Sequence, residues 1–141
     1  MATALLILLS PDGDPDDVTR ALSLTPYQSW HCGEVKSYTK RNGEKIEFDS
    51  VHEWSGWKAR TPSALSDAPL QVKVYYWINF LNDKELALPP LLALGWRVEL
   101  NCFSARSDGF DMEPTELAAL GNAGVRISVF FSSPKTEHNH P

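Results

Sequence analysis

His31 and Cys32 stand side by side in "TPYQSWHCGEV", residues 25–35. A thiol beside an imidazole has the residue types of a nucleophile and its base. That chemistry needs a lowered thiol pKa and a base within hydrogen-bond reach. Adjacent residues of an extended segment point to opposite faces, so His31 is badly placed to serve Cys32. His52 could approach in space, but nothing in the sequence shows it. The plainer reading is a packed thiol in the turn that enters a hairpin.

Metal binding is the next chemistry to weigh. The four histidines are His31, His52, His138 and His140. Zinc takes three or four ligands in fixed geometry. His138 and His140 merely flank Asn139 in a polar tail, and no ββα unit precedes this "HNH" triplet. Asp12, Asp14, Asp16 and Asp17 have the composition of a calcium loop. That loop requires Gly at its sixth place and Glu at its twelfth; counted from Asp12, Gly13 falls second and Ser23 twelfth. Helix capping and complement to the helix dipole explain these carboxylates better. The pairs Glu113/Glu116 and Glu47/Asp49 read as solvated faces. No P-loop, dinucleotide fingerprint or nucleophile elbow is present. The expectation is no catalytic residue, no metal and no cofactor.

The aromatic residues remain: Trp30, Trp54, Trp57, Trp77 and Trp96. Core packing is the default for such rings, yet Trp, Tyr and Arg also dominate interface hot spots. Trp30, Trp54 and Trp57 fall in or beside expected loops and hairpin ends.

The elements that must position these groups follow from the pattern. "TALLILLS" (3–10) is short, apolar and closed by Pro11, which reads as a strand buried on both faces. A helix follows, with Asp14 as cap, Pro15 at its first position and Val18, Ala21 and Leu22 as its apolar stripe. "EVKSYTK" and "KIEFD" flank "RNGE" and predict a hairpin, because Asn42 and Gly43 both accept positive φ. "VHEWSGWKAR" begins another extended segment, with a kink at Ser55-Gly56. "PLQVKVYYWINFL" satisfies two periods. Leu70, Val72, Val74, Tyr76, Ile78 and Phe80 alternate as in a strand, whereas Leu70, Val74, Trp77, Ile78 and Leu81 form a helical face. Ser66 or Asp67 as cap and Pro69 just inside the start favour a helix over 67–82. A second short helical segment follows, interrupted at Pro89-Pro90 and ended by Gly95. "WRVELNCFSA" reads as a strand with Val98, Leu100 and Cys102 on one face. "MEPTELAALGNAG" is a helix with Pro114 near its start and Gly121 or Gly124 past its end. "VRISVFFS" is the last strand. A strand, a loop, an acidic-Pro pair and a helix thus occur twice, a faint echo of duplicated β-α units. The fold expected is α+β: one domain over 1–132, an antiparallel or mixed sheet with helices mainly on one face, then a polar tail over 133–141.

Composition is compatible with that. A chain of 141 residues suits a single domain, which buries roughly two-thirds of its unfolded surface and needs no staple. Cys32 and Cys102 form no CxxC pair and read as reduced thiols. The run Ala4–Leu9 is short, lacks a preceding Lys or Arg, and is followed by aspartates, unlike a secretory signal. Nothing approaches the ~20 apolar residues of a membrane span. A cytoplasmic location is expected. The net charge of −5 and pI near 5.3 argue against nucleic acid, and suit a basic protein partner.

The order of pieces resembles the bacterial domain-of-unknown-function family numbered 4279. The matching stretches are "DPDDVTRALSLTP", "SWHCGEV", "GWKAR", "LGWRVEL" and "MEPTELAALGNAGVRISVFF". They span about residues 3–132 and consist of turns, aromatics and glycines. The resemblance implies a small α+β domain with a helix after the central Trp. It also implies a stand-alone cytosolic protein, some relatives of which look like immunity proteins beside polymorphic toxin genes. It supplies no catalytic residues.

The function expected is a non-enzymatic binding protein, most concretely an immunity protein that neutralises a cognate toxin by masking its active site. The expected contacts are Glu34, Glu44, Glu47, Asp49, Glu53, Trp54 and Trp57, meeting a toxin or other protein of basic character. Two rivals stand beside it. One is a small-molecule binder or enzyme with a pocket at Trp30, His31, His52 and Trp57. The other is a structural homodimer paired through an edge strand.

Overall fold

The computed structural model describes residues 2–104 and 109–131. Strand β1 (Thr3–Ser10) leads into helix α1 (Pro15–Leu22). Four strands follow: β2 (Gln28–Trp30), β3 (Val35–Thr39), β4 (Lys45–Val51) and β5 (Ser55–Arg60). A 3-10 turn at Ser63–Leu65 precedes α2 (Leu70–Asp83) and α3 (Leu88–Ala93). The chain closes with β6 (Arg97–Ser104), α4 (Pro114–Asn122) and β7 (Val125–Phe131). A mixed five-stranded sheet has the order β2-β5-β1-β6-β7, and β3 and β4 pair only with each other. β1 lies at the centre, antiparallel to β5 and β6, while β7 joins β6 in parallel after the α4 crossover. This is the expected α+β domain.

Strand alternation decides which residues meet the helices. Ala4, Leu6 and Leu8 of β1 lie opposite Ala59 and Trp57 of β5 and opposite Cys102, Leu100 and Val98 of β6. All of these are buried in one core with Val18 and Leu22 of α1, Leu91 of α3 and Leu120 of α4. The helices therefore cover one face. Two indoles are anchored there: Trp57 Nε1 donates to Thr19 Oγ1 (3.0 Å) and Trp77 Nε1 to the Ala4 carbonyl (2.9 Å).

The ambiguous stretch is helical. Leu70, Lys73, Val74, Trp77, Ile78 and Leu81 are buried, whereas Val72 is exposed. A strand would split Trp77 from Ile78, and the core needs both. The cap falls later than expected: Pro69 occupies the N-cap and no side chain caps the helix. The two prolines at 89–90 do not interrupt a helix. They lie in the first turn of α3, where a missing N–H costs nothing. Gly121 lies within α4, and Gly124 (φ +74°) stands past its end. Glu113 and Glu116 are not simply a solvated pair, since the Glu116 carboxylate accepts the Glu113 N–H (2.8 Å) and closes the start of α4.

The hairpin forms as expected, with different turn chemistry. Gly43 N–H donates to the Lys40 carbonyl (2.9 Å), Lys40 N–H donates to the Glu44 carbonyl (2.8 Å), and the Asn42 side chain accepts the Glu44 N–H. Only Gly43 takes a positive φ, of +87°, so this is the longer loop with one left-handed residue rather than the two-residue turn. At the hairpin's base, Gly33 N–H donates to the His52 carbonyl and His52 N–H to the Glu34 carbonyl, both at 2.8 Å. The break in the following segment falls at His52–Trp54, ahead of Ser55, so Gly56 lies within β5.

Candidate functional site

The other face of the sheet is open, and its residues are the alternate positions of the same strands. β5 presents Gly56, Lys58 and Arg60, β6 presents Arg97 and Glu99, and β1 presents Leu5 and Leu9. Trp30 of β2 pairs with Gly56 and lies flat on its backbone. A Cβ at Gly56 would fall 2.1 Å from the Trp30 ring, so only glycine permits this contact. Trp30 Nε1 donates to the Trp54 carbonyl (2.9 Å), which fixes the in-plane angle of the indole. His52, at the hairpin's base, stacks on Trp30 with ring centroids 4.6 Å apart. These groups enclose a cleft of about 330 Å³ between hairpin and sheet, lined by Leu9, Trp30, Lys36, His52, Trp54 and Arg97, with Glu53 at its side.

The electrostatics of this face are unusual for an acidic chain. Lys58 lies over the Trp30 ring (5.3 Å to the centroid), Arg97 over Trp54 (4.9 Å) and Arg60 over Tyr27 (4.0 Å). Among the described residues, none of Lys36, Lys58, Arg60 and Arg97 has a carboxylate within salt-bridge distance, whereas Arg126 reaches Glu99 at 3.9 Å. Ring faces hold the cations but do not neutralise them. Burial in the cleft lowers the pKa of His52, and the nearby Lys36 lowers it further. The stacked imidazole is thus harder to protonate than a free one.

The structure separates the residues singled out from sequence. Trp57 is not a contact for any partner: it is fully buried on the helix face, because its parity in β5 is opposite to that of Lys58. For the same reason it lies outside the suggested pocket, and His31 does not line it either. Trp30 and His52 do come together. Both His31 nitrogens face carboxylates, Nδ1 to Glu34 (2.9 Å) and Nε2 to Asp14 (3.3 Å), and the Glu34 hydrogen bond foremost raises its pKa. Cys32 Sγ instead donates to the Glu53 carbonyl (3.3 Å), so His31 and Cys32 are engaged separately. Cys102 is buried, which pushes its thiol up to about 11.

Among the expected carboxylate contacts, Glu44 pairs with Lys40 (3.5 Å) and Glu47 with Lys45 (3.8 Å). Asp49 lies exposed on β4, and only Glu53 and Trp54 reach the cleft. Across residues 34–53 the carboxylates Glu34, Glu44, Glu47, Asp49 and Glu53 are nearly balanced by Lys36, Lys40, Arg41 and Lys45. The hairpin is not an acidic patch.

Sequence reasoning missed Lys36, Lys58 and Arg97. The signal was present in "GWKAR" and "WRVELN", where charged residues alternate with apolar ones and so share a face. His138 and His140 lie outside the described residues. Among the described residues, no cluster of three or more His, Cys, Asp or Glu side chains is arranged to hold a metal, and no helix is long and apolar enough to cross a membrane.

Comparison with protein-family models, with curated proteins and with solved structures gave no match to this chain.

Proposed function

We propose that this protein is a non-catalytic binding protein that docks a protein partner on the open sheet face and the adjoining hairpin. The specific form of the proposal is an immunity protein that occludes a cognate toxin. One observation carries the reading: aromatic rings and cations without carboxylate partners converge on one cleft, at Trp30, Trp54, Lys36 and Arg97. Tryptophan and arginine around a concave centre are the composition of an interface hot spot. The hairpin extends this surface with exposed apolar side chains, Val35, Tyr38, Phe48 and Val51, the Tyr38 and Phe48 rings being 5.6 Å apart. The sequence resemblance to the family numbered 4279 points the same way.

The local charge revises the partner's chemistry. Net charge alone suggested a basic partner, but the cleft is cationic. The contacting segment of the partner is therefore acidic and apolar in mixture. A protein fits better than a nucleic acid, because the exposed apolar hairpin and the carboxylates of Asp49 and Glu53 offer little to a phosphate chain.

Co-expression with the product of the neighbouring gene tests the reading. Expected are a complex on size exclusion, protection from that product's toxicity, and at least tenfold weaker binding in Arg97→Glu and Trp54→Ala. Asp83→Lys, on the helix side, should bind as wild type. Absence of a complex, wild-type affinity in Arg97→Glu, or tight binding of a single-stranded oligonucleotide on this face would overturn it.

A further inference from the structure

A second site lies at the opposite end of β1, where the sheet rim meets the start of α2. Lys73 is buried, with 4% of its surface exposed. Its ammonium donates to the Ala2 carbonyl (2.6 Å) and to the Ser66 carbonyl (2.9 Å). Among the described residues no carboxylate stands within salt-bridge distance of it. An ammonium has three donors, so two carbonyls leave one unused. They also leave the charge unbalanced, which is costly in a desolvated place.

The surroundings add positive potential. Lys73 stands at the N-terminal end of α2, where the helix dipole is already positive. That helix has neither a side-chain cap nor an acidic residue in its first turn. A cleft of about 500 Å³ opens here, lined by Lys73, Arg60, Tyr27, Thr61, Ser63 and Ser66 among others. Arg60 is held over the Tyr27 ring at 4.0 Å and also lacks a carboxylate partner among the described residues. Two cations, a helix N-terminus and the hydroxyl side chains of Thr61, Ser63 and Ser66 thus border one concavity with no anion supplied by the described residues.

We propose that this rim cleft binds a small oxyanion, a carboxylate or phosphate group of a metabolite-sized ligand. Arg60 supplies the forked contact suited to such a group, and Lys73 supplies the buried counter-charge. The site shares the open face through Arg60 but is separate from the cleft of Trp54 and Arg97, which lies at the other end of β1.

The test is calorimetric titration of the full chain with inorganic phosphate and, separately, with malonate, each against sodium chloride at equal ionic strength. Saturable binding of one or both beyond chloride is expected, and the stronger of the two names the ligand class. Arg60→Gln should weaken that binding at least fivefold and Lys73→Met should abolish it, while Arg20→Gln on α1 should leave it unchanged. If Lys73→Met does not fold, Arg60→Gln carries the test alone. If Lys73 serves only to tether carbonyls, Lys73→Met loses stability while the wild type shows no saturable anion binding. That result, or wild-type affinity in Arg60→Gln, would overturn the proposal.

Discussion

The two faces of the central sheet are made by the same strands and differ in how they treat polar groups. On the helix face β1, β5, β6 and β7 contribute apolar residues, and the indole N–H groups of Trp57 and Trp77 each reach an acceptor. On the open face the neighbouring residues Lys58, Arg60 and Arg97 meet ring faces instead of carboxylates. The first face is closed in packing and nearly so in hydrogen bonding, the buried Trp96 Nε1 alone among its indoles having no acceptor among the described residues. The second is packed but electrostatically incomplete. One position of parity in β5 separates Trp57, fully buried, from Lys58, which lies over an aromatic ring on the far side. Residue type alone does not tell a core tryptophan from a surface one. The face it is assigned by strand register does.

The contrast can be broken most directly by truncating one ring on each face. Trp77→Ala should cost about 3–5 kcal/mol, whereas Trp54→Ala should cost about 1 kcal/mol or less, as substitutions away from the core do. Urea denaturation measures both, and similar losses would erase the distinction between the faces. A smaller effect is expected at the contact between β2 and β5. Gly56→Ala places a methyl group inside the Trp30 ring, and over-packing of this kind costs about 1–3 kcal/mol. Displacing Trp30 should also abolish the His52 stack and weaken partner binding, visible as a change in tryptophan fluorescence in the folded protein. An unchanged spectrum would show that the ring does not depend on the glycine.

The smallest effect separates two histidines of opposite sign. His31 has a raised pKa through Glu34 and Asp14. Its contribution to stability is therefore full below its ordinary value of 6.5 and is lost as pH rises through the raised value. Burial opposes the ionisation of Glu34, but its bonds to the His31 side chain and backbone N–H lower its pKa overall. The hydrogen bond from the Asp16 N–H foremost lowers that of Asp14. The carboxylate contributions are present above 4.5 and 3.8 and fade as pH falls through the lowered values. The cluster thus helps most between pH 4.5 and 6.5. His52 has a lowered pKa, so the unfolded chain takes its proton first, and stability rises with pH through the interval ending at 6.5. His31→Gln should flatten the decline above pH 6.5, and His52→Gln should flatten the rise below it. Both groups are near the surface, so salt should shrink the His31 effect. Denaturation midpoints measured across pH would show slopes of equal sign if this assignment were wrong.

Much of the fold was legible because local rules and packing agreed. The cap at Asp14-Pro15, the apolar first strand and the Asn42-Gly43 turn each specify one outcome. The stretch 70–81 was harder, since β-branched and aromatic residues satisfied both periods there. Trp77 and Leu81, which must share a face with Leu70 and Val74, decide it. The candidate site was less legible. Its residues come from β1, β2, β3, β6 and the connection between β4 and β5, so proximity depends on strand order. The acidic residues drew attention by type, yet Glu44 and Glu47 have local cationic neighbours on the hairpin. The cations that matter are hidden among the polar positions of alternating strands.

The hairpin's attachment has a kinetic consequence. β2 and β5 are antiparallel neighbours, and the bonds between Gly33, Glu34 and His52 continue their pairing towards β3 and β4. Residues 28–60 are therefore one long two-stranded ribbon that bends near its middle, with its upper half outside the main sheet. Such a ribbon can zip from the turn at Gly43 downward through contacts that are close in sequence, before β1 is in place. The Trp30–Gly56 contact sits near the root of this zipper, the last part to close in that order. The free half of the ribbon can lengthen or shorten by residue pairs without disturbing the register of any strand in the main sheet.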